Sequence, residues 1–421
     1  MIQPPQPILF RNARIVDPDS GRVILGELLV AGRVIAAIGQ GLAVPANTQI
    51  VEAGGRVLAP GLVDAGAFRS DIAAAVAGGF TSVILMPDQA PPLDDPALVE
   101  RAERLGKPRL WVRPLAAATR GLLGRELAEI GLMREAGAVG VATGRAAIAD
   151  SAVMLRLLRY AAGLNMVTVC HPEDPALVHG AVATEAEYAT RLGLPAAPAA
   201  AEAIQISRDL RLAREAGAAV HFATVTTAEG VALIAAAKRD GQDVTAATTP
   251  EAFLLNDIAL AGYRSYVRLS PPLRVEEDRL AVRAGVADGT IDMIVSRHDP
   301  QTEDAKRQPF TEATPGAAGQ ALLLALALTL VHDGVIDLPR LFTLTSLAPA
   351  RRFGLSGGRL AEGAAADILL LNPDSSRVVD ADTLPGLAGN TPFDGLPVSG
   401  RVEMLIKGGE IMLHDIGGSR S

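Results

Sequence analysis

The apolar and polar positions of this chain change rhythm twice. Through the first sixty residues the apolar positions come in short runs, at 8–15, 23–30, 33–38 and 49–57. Turn formers cut them at Asp17-Pro18-Asp19, Gly32 and Pro45-Ala46-Asn47. Short runs rich in Val, Ile and Leu, with turn residues between them, predict an antiparallel sheet. From Leu58 onward the runs shorten and alternate with helical stretches, the mark of parallel βα units. Candidate strands fall at 58–63, 81–86, 110–115, 138–142, 166–170, 218–222, 243–247 and 292–296. Helical stretches at 151–162 and 201–216 stop at Gly163 and Gly217, where the left-handed turn that ends a helix favours glycine. After Gly354 short strands return at 367–371, 377–379 and 404–406, with Gly408-Gly409 as a hairpin turn.

Eight βα units in series predict an α/β architecture, a TIM-like (β/α)8 barrel over residues 61–354. Residues 1–60 and 355–421 are expected to pack together beside it as one small β-sandwich. Composition narrows the function. With 49% hydrophobic and 20% charged residues the chain is expected to fold and not to be disordered. A net charge of −8 and only 3% aromatics argue against a nucleic-acid surface. Cys170 is the lone cysteine, so no internal disulfide and no cysteine-based zinc site is expected, and a reducing, cytoplasmic compartment fits. The most apolar stretch, 321–331, is too short to span a bilayer. Residues 1–10 carry three prolines and no charged-then-apolar signal pattern, so no signal peptide and no membrane partner are expected.

In a barrel, reactive side chains belong at the C-terminal ends of the strands. Those ends read Asp64-Ala65-Gly66-Ala67-Phe68, Ala142-Thr143-Gly144, Cys170-His171-Pro172-Glu173-Asp174, Val220-His221-Phe222 and Ser296-Arg297-His298-Asp299. His171 and His221 together are a mild metal signal, because imidazole is the commonest metal ligand. A catalytic zinc normally takes three protein ligands. The pair therefore reads either as the remains of a metal site, helped by Glu173, Asp174 or His298, or as polar residues of the mouth. Cys170 faces away from its neighbour His171, since adjacent strand residues point to opposite sides. The charged run from Arg274 to Arg279 reads as a solvated helix start, and that from Glu303 to Arg307 as a solvated loop.

These segments resemble a known family over nearly the whole chain, the type I dihydroorotases of the amidohydrolase superfamily. Ala59-Pro60-Gly61-Leu62-Val63-Asp64 is similar to the family's entry into strand one, and Ala77-Gly78-Gly79-Phe80-Thr81-Ser82-Val83 with Met86-Pro87 to its strand two. His171-Pro172-Glu173-Asp174, Ser270-Pro271-Pro272-Leu273-Arg274, Asp288-Gly289-Thr290-Ile291-Asp292 and Asn390-Thr391-Pro392-Phe393-Asp394-Gly395 carry the rest of the likeness. The resemblance implies the amidohydrolase fold of barrel plus sandwich. It also implies a zinc centre that interconverts carbamoyl aspartate and dihydroorotate in pyrimidine synthesis.

The likeness fails where that chemistry would sit. Gly66 and Phe68 stand in place of the family's His-x-His, Thr143 in place of its bridging acid, and Arg297 in place of its strand-eight aspartate. By this reading His171 and His221 are vestigial ligands, and no metal and no catalytic residue is expected. At ~4 Å and an effective dielectric near 20, a guanidinium would repel a dication by about 8 kcal/mol. The substrate positions depart too, with Ser70 for the carboxylate-clamping arginine, Asp88 and Ser270 for asparagines, and Gln301 for a histidine. No substrate-binding residue is expected among them. Inactive homologues in this family act as non-catalytic subunits of aspartate transcarbamoylase, and the resemblance implies that partner here. Two alternatives remain, an active zinc-dependent cyclic amidohydrolase with a reduced metal site, and a binding protein with a new ligand in the old pocket.

Overall fold

The computed structural model describes residues 5–416, and the terminal segments pair into one sheet whose central strands bury both faces, each against a different core. β1 (Ile8–Asp17), β2 (Arg22–Ala31) and β3 (Val34–Gly39) are antiparallel neighbours, while β4 (Gln49–Glu52) and β5 (Val57–Pro60) both lie parallel to β1. The sheet is therefore mixed and not purely antiparallel, since the chain crosses back after β3 and re-enters alongside β1 in the same direction. The outermost residues of the expected sandwich segments, 1–4 and 417–421, lie outside the described residues, as do the first four residues of the stretch read for a signal peptide.

The barrel strands are β6 (Leu62–Ala67), β7 (Phe80–Leu85), β8 (Trp111–Pro114) with its continuation β9 (Ala116–Ala117), β10 (Val141–Ala142) and β11 (Thr168–Cys170). A detached parallel pair, β12 (Ala183–Thr184) and β13 (Ala196–Ala197), interrupts the series before β14 (Val220–Phe222), β15 (Val244–Thr248) and β16 (Met293–Ile294) complete it. The barrel strands pair in parallel, and the Phe68 amide donates to the His298 carbonyl at 2.9 Å, joining the end of the last strand to the first. The first strand departs from the expected 58–63. The chain breaks at Gly61, where a Cβ would stand 2.3 Å from Thr81 Cγ2, so β5 stays in the terminal sheet and the barrel begins at Leu62.

β17 (Ile368–Val378), β18 (Pro397–Lys407) and β19 (Glu410–His414) complete the terminal sheet, with β17 antiparallel to β5. Alternation then sorts the side chains. Leu58, Ile368, Leu370, Met404 and Ile406 enter the core of the terminal domain, while Val57, Ala59, Leu369, Leu371 and Leu405 join the core around the barrel. Inside the barrel, Val63, Val167, Val169, Ala223, Met293 and Val295 pack against Ala350 and Phe353 from the helix that follows the eighth βα unit. That plug closes the N-terminal end and leaves the opening at the C-terminal ends of the strands. No helix among the described residues is long and apolar enough to cross a membrane.

Candidate functional site

The mouth holds a small cleft. Phe68, Arg145, Thr224, Arg274, Arg297 and Asp299 are among the residues that line it. Arg297 follows β16 with φ +42°, a left-handed backbone that costs a non-glycine residue on the order of 1 kcal/mol. Its side chain donates to Thr224 Oγ1 at 2.8 Å and to the Ser270 carbonyl at 3.0 Å. Burial and the nearby Arg145 push its pKa down to about 10. Two guanidinium groups lie over the Phe68 ring, with Arg145 Cζ 3.9 Å and Arg297 Cζ 5.0 Å from its centre, the cation–π arrangement that an aromatic face favours. Arg145 reaches Asp299 at 2.5 Å, and its backbone amide donates to Asp88 Oδ1 at 2.8 Å.

Arg297 does not pair with Asp64 or Asp88. Asp64 is fully buried and accepts from the Ser296 amide at 3.1 Å, the Ser296 hydroxyl and Gln320 Nε2 at 2.9 Å. Asp88 stays with Arg145, and burial raises its pKa. His298 takes no part in the cleft: its Nε2 faces Asp71 at 3.4 Å, and its Nδ1 accepts from the Gly319 and Gln320 amides.

The two histidines are not brought together. His171 sits at the mouth, its amide donating to Thr143 Oγ1 at 3.0 Å and its Nε2 3.4 Å from Glu173. His221 pairs in register with Val169, two residues before His171 and so about 6–7 Å deeper in the barrel. There its Nδ1 meets Thr245 Oγ1 at 2.9 Å, and its ring lies edge-on to Phe353 in the plug. Reading His221 as a ligand partner of His171 is thus corrected: it points into the barrel, one layer too low. Thr224, two residues past the end of β14, is the group that reaches the cleft from this strand.

Depth also sets the protonation of His221. Burial, with lesser contributions from Arg352 and Lys238, lowers its pKa to about 3. The unfolded chain then binds a proton that the folded chain refuses, so stability falls as pH drops from about 6.5 toward 3, by at most about 1.4 kcal/mol per unit. His221→Asn is expected to flatten this slope. Urea titrations at pH 7 and pH 5 check it, in a window above the acid range where Glu173 titrates.

The charged run at Arg274 is not solvated. Arg274 is 4% exposed and donates to Glu173 Oε1 at 2.7 Å, Thr226 Oγ1 at 2.9 Å and Thr184 Oγ1 at 3.1 Å, with Glu202 3.6 Å away. Burial alone would raise the Glu173 pKa, but the His171 hydrogen bond and Arg274 overcome it and hold the group at about 2. Lys306 corrects the solvated reading of its own loop: it is buried, and its Nζ donates to the carbonyls of Ser265 and Arg268. Gly66 is buried with room for a Cβ 3.6 Å from Val295 Cγ2. The Ser70 hydroxyl is buried without a hydrogen-bond partner. Gln301 is held by Asn390 Oδ1 at 2.9 Å, so the Asn390 segment buttresses the loop after β16.

A model of the amidohydrolase family matches residues 55–412. The chain belongs to the amidohydrolase family. The chain is 37% identical over 419 residues to a dihydroorotase of Geobacter sp. (strain M21), which covers 96% of this chain and 99% of that one. It is 36% identical over 420 residues to a dihydroorotase-like protein of Pseudomonas aeruginosa, at the same coverage. Among solved structures, the L-hydantoinase (dihydropyrimidinase) from Arthrobacter aurescens is similar with a TM-score of 0.87 and 26% identity, over 97% of this chain and 96% of that one. The barrel with its appended sheet is thus the fold of its relatives, and the chain is a dihydroorotase homologue.

The zinc centre implied by that likeness does not fit the residues of this chain. Among the described residues no group of three or more His, Cys, Asp or Glu side chains is arranged to hold an ion. At the strand ends stand an aromatic ring, Phe68, and a guanidinium, Arg297, 5.0 Å from its centre. The signal that would have found Thr224 is depth along the strand, which alternation does not encode.

Proposed function

We propose that this protein is a non-catalytic dihydroorotase homologue of pyrimidine biosynthesis that serves in the cytoplasm as a structural subunit of aspartate transcarbamoylase. The observation that carries the reading is Arg297, seated on Phe68 and Thr224 at the end of the eighth barrel strand. A permanent cation there opposes a dication, and arginine does not shed its proton to relieve the conflict. The transferase partner comes from the resemblance alone. A second reading, an active zinc-dependent dihydroorotase, is favoured by the name of the relative from Geobacter and of others at 35–38% identity over nearly the whole chain.

Two measurements on the purified protein test these readings. Metal analysis with a dihydroorotate hydrolysis assay is expected to find substoichiometric zinc and no turnover. Co-expression with the transcarbamoylase chain of the same organism is expected to give a single co-eluting complex. Stoichiometric zinc with turnover establishes the second reading instead, and separate elution removes the partner.

A further inference from the structure

We propose that the cleft binds a small monocarboxylate with an apolar body, its carboxylate gripped by Arg297. The inference rests on the reading that a guanidinium, and not a metal, occupies this mouth. Charge pairing within the cleft leads to it. Arg145 has Asp299 at 2.5 Å, and Arg274 has Glu173 at 2.7 Å. Arg297 has no carboxylate oxygen within 4 Å among the described residues, and its partners are a hydroxyl and a backbone carbonyl. Those two contacts use two of the five N–H donors of a guanidinium. Glu251, in the same wall, forms no ion pair with Arg297 among the described residues.

The shape of the cleft fixes the ligand class. A planar guanidinium fork matches a carboxylate in two parallel hydrogen bonds. Around it Phe68, Leu269, Pro271, Pro315 and Ala317 form an apolar part of the wall, beside the polar Thr226, Thr249 and Asp299. Arg297 is itself held in place, by the Phe68 face on one side and Thr224 on the other, so little ordering remains to be done on binding. A phosphate dianion is disfavoured, because Asp299, Asp88 and Glu173 act on the same guanidinium and would repel the second charge.

The test compares isobutyrate with isobutyramide, which share shape and differ in charge, by calorimetry on the full chain. Isobutyrate is expected to bind saturably, and isobutyramide and inorganic phosphate more weakly. Arg297→Met is expected to weaken isobutyrate at least about tenfold, the loss of hydrogen bonds to a charged group. Arg297→Lys keeps the charge without the fork and is expected to fall between; it carries the test should the methionine variant not fold. Equal binding of acid and amide, tighter phosphate, unchanged affinity in Arg297→Met, or no saturable binding each overturns the inference. Zinc and dihydroorotate turnover, measured on the same sample, overturn the non-catalytic reading and this one with it. A zinc-free, inactive protein that fails to tell isobutyrate from isobutyramide overturns this inference alone.

Discussion

Replacing Arg274 with methionine is expected to lower folding stability by about 3–5 kcal/mol, the usual cost of removing one partner from a buried ion pair. Glu173 and Glu202 are 2% and 0% exposed, so neither carboxylate can recover the lost interaction from water. Glu173 would keep only His171, and Glu202 the hydroxyl and amide groups of Thr226 and Thr227. The substitution also removes the donors that tie the Ser270–Arg274 segment to Thr184 and Thr226, and so loosens one wall of the cleft. Urea unfolding at pH 7 measures the effect. A Glu173→Gln change in the same chain should restore part of the loss, because it neutralises one stranded charge. Arg297→Met should cost less, since among the described residues no carboxylate is hydrogen-bonded to Arg297, whose partners are a hydroxyl and a carbonyl. A change in unfolding midpoint for Arg274→Met no larger than that for Arg297→Met would refute the distinction drawn between the two arginines.

That distinction marks where sequence reasoning stops. The barrel is legible because each strand is an apolar run with a helix after it, and both signals are local. The terminal sheet is legible in part: runs such as Ile368 to Leu371 are apolar throughout, and two-sided burial explains them once the barrel is known to lie against one face. Alternation reports the face of a strand residue but not its depth. His221 faces the barrel interior as its position suggests, yet it sits level with Val169, beside the plug. Arg274 misleads for a different reason. Its neighbours Glu276, Glu277 and Arg279 are surface charges of a helix start, and nothing near it in the chain shows that Glu173 waits in the interior, 101 residues away. Arg145 carries no motif at all, and only the fold brings it to Phe68 and Asp299. The likeness to dihydroorotases located Phe68, Thr143 and Arg297 as departures, while their packing had to come from coordinates.

Restoring histidines at two of these positions, Gly66→His with Phe68→His, is expected to return neither zinc nor dihydroorotate hydrolysis. The backbone at Gly66 admits a side chain, since a Cβ there meets nothing closer than Val295 Cγ2 at 3.6 Å. Charge is the obstacle. Removing the Phe68 ring uncovers Arg145 and Arg297, which had lain over it, and Arg297 keeps its anchor on Thr224. A dication about 4 Å from such a guanidinium is opposed by about 8 kcal/mol at an effective dielectric near 20. A full structural zinc site contributes about 10–16 kcal/mol with all four ligands in place, so a partial set of neutral imidazoles leaves little or no net affinity. Thr143 still offers a hydroxyl already engaged by the His171 amide, so no bridging carboxylate appears. Adding Arg297→Asp to the double variant removes the cation and supplies a carboxylate at once. Zinc retained after dialysis, read by metal analysis, should therefore appear first in the triple variant. Should the double variant alone hold zinc and hydrolyse dihydroorotate, Arg297 would not be the barrier, and the case for a non-catalytic protein would lose the observation that carries it.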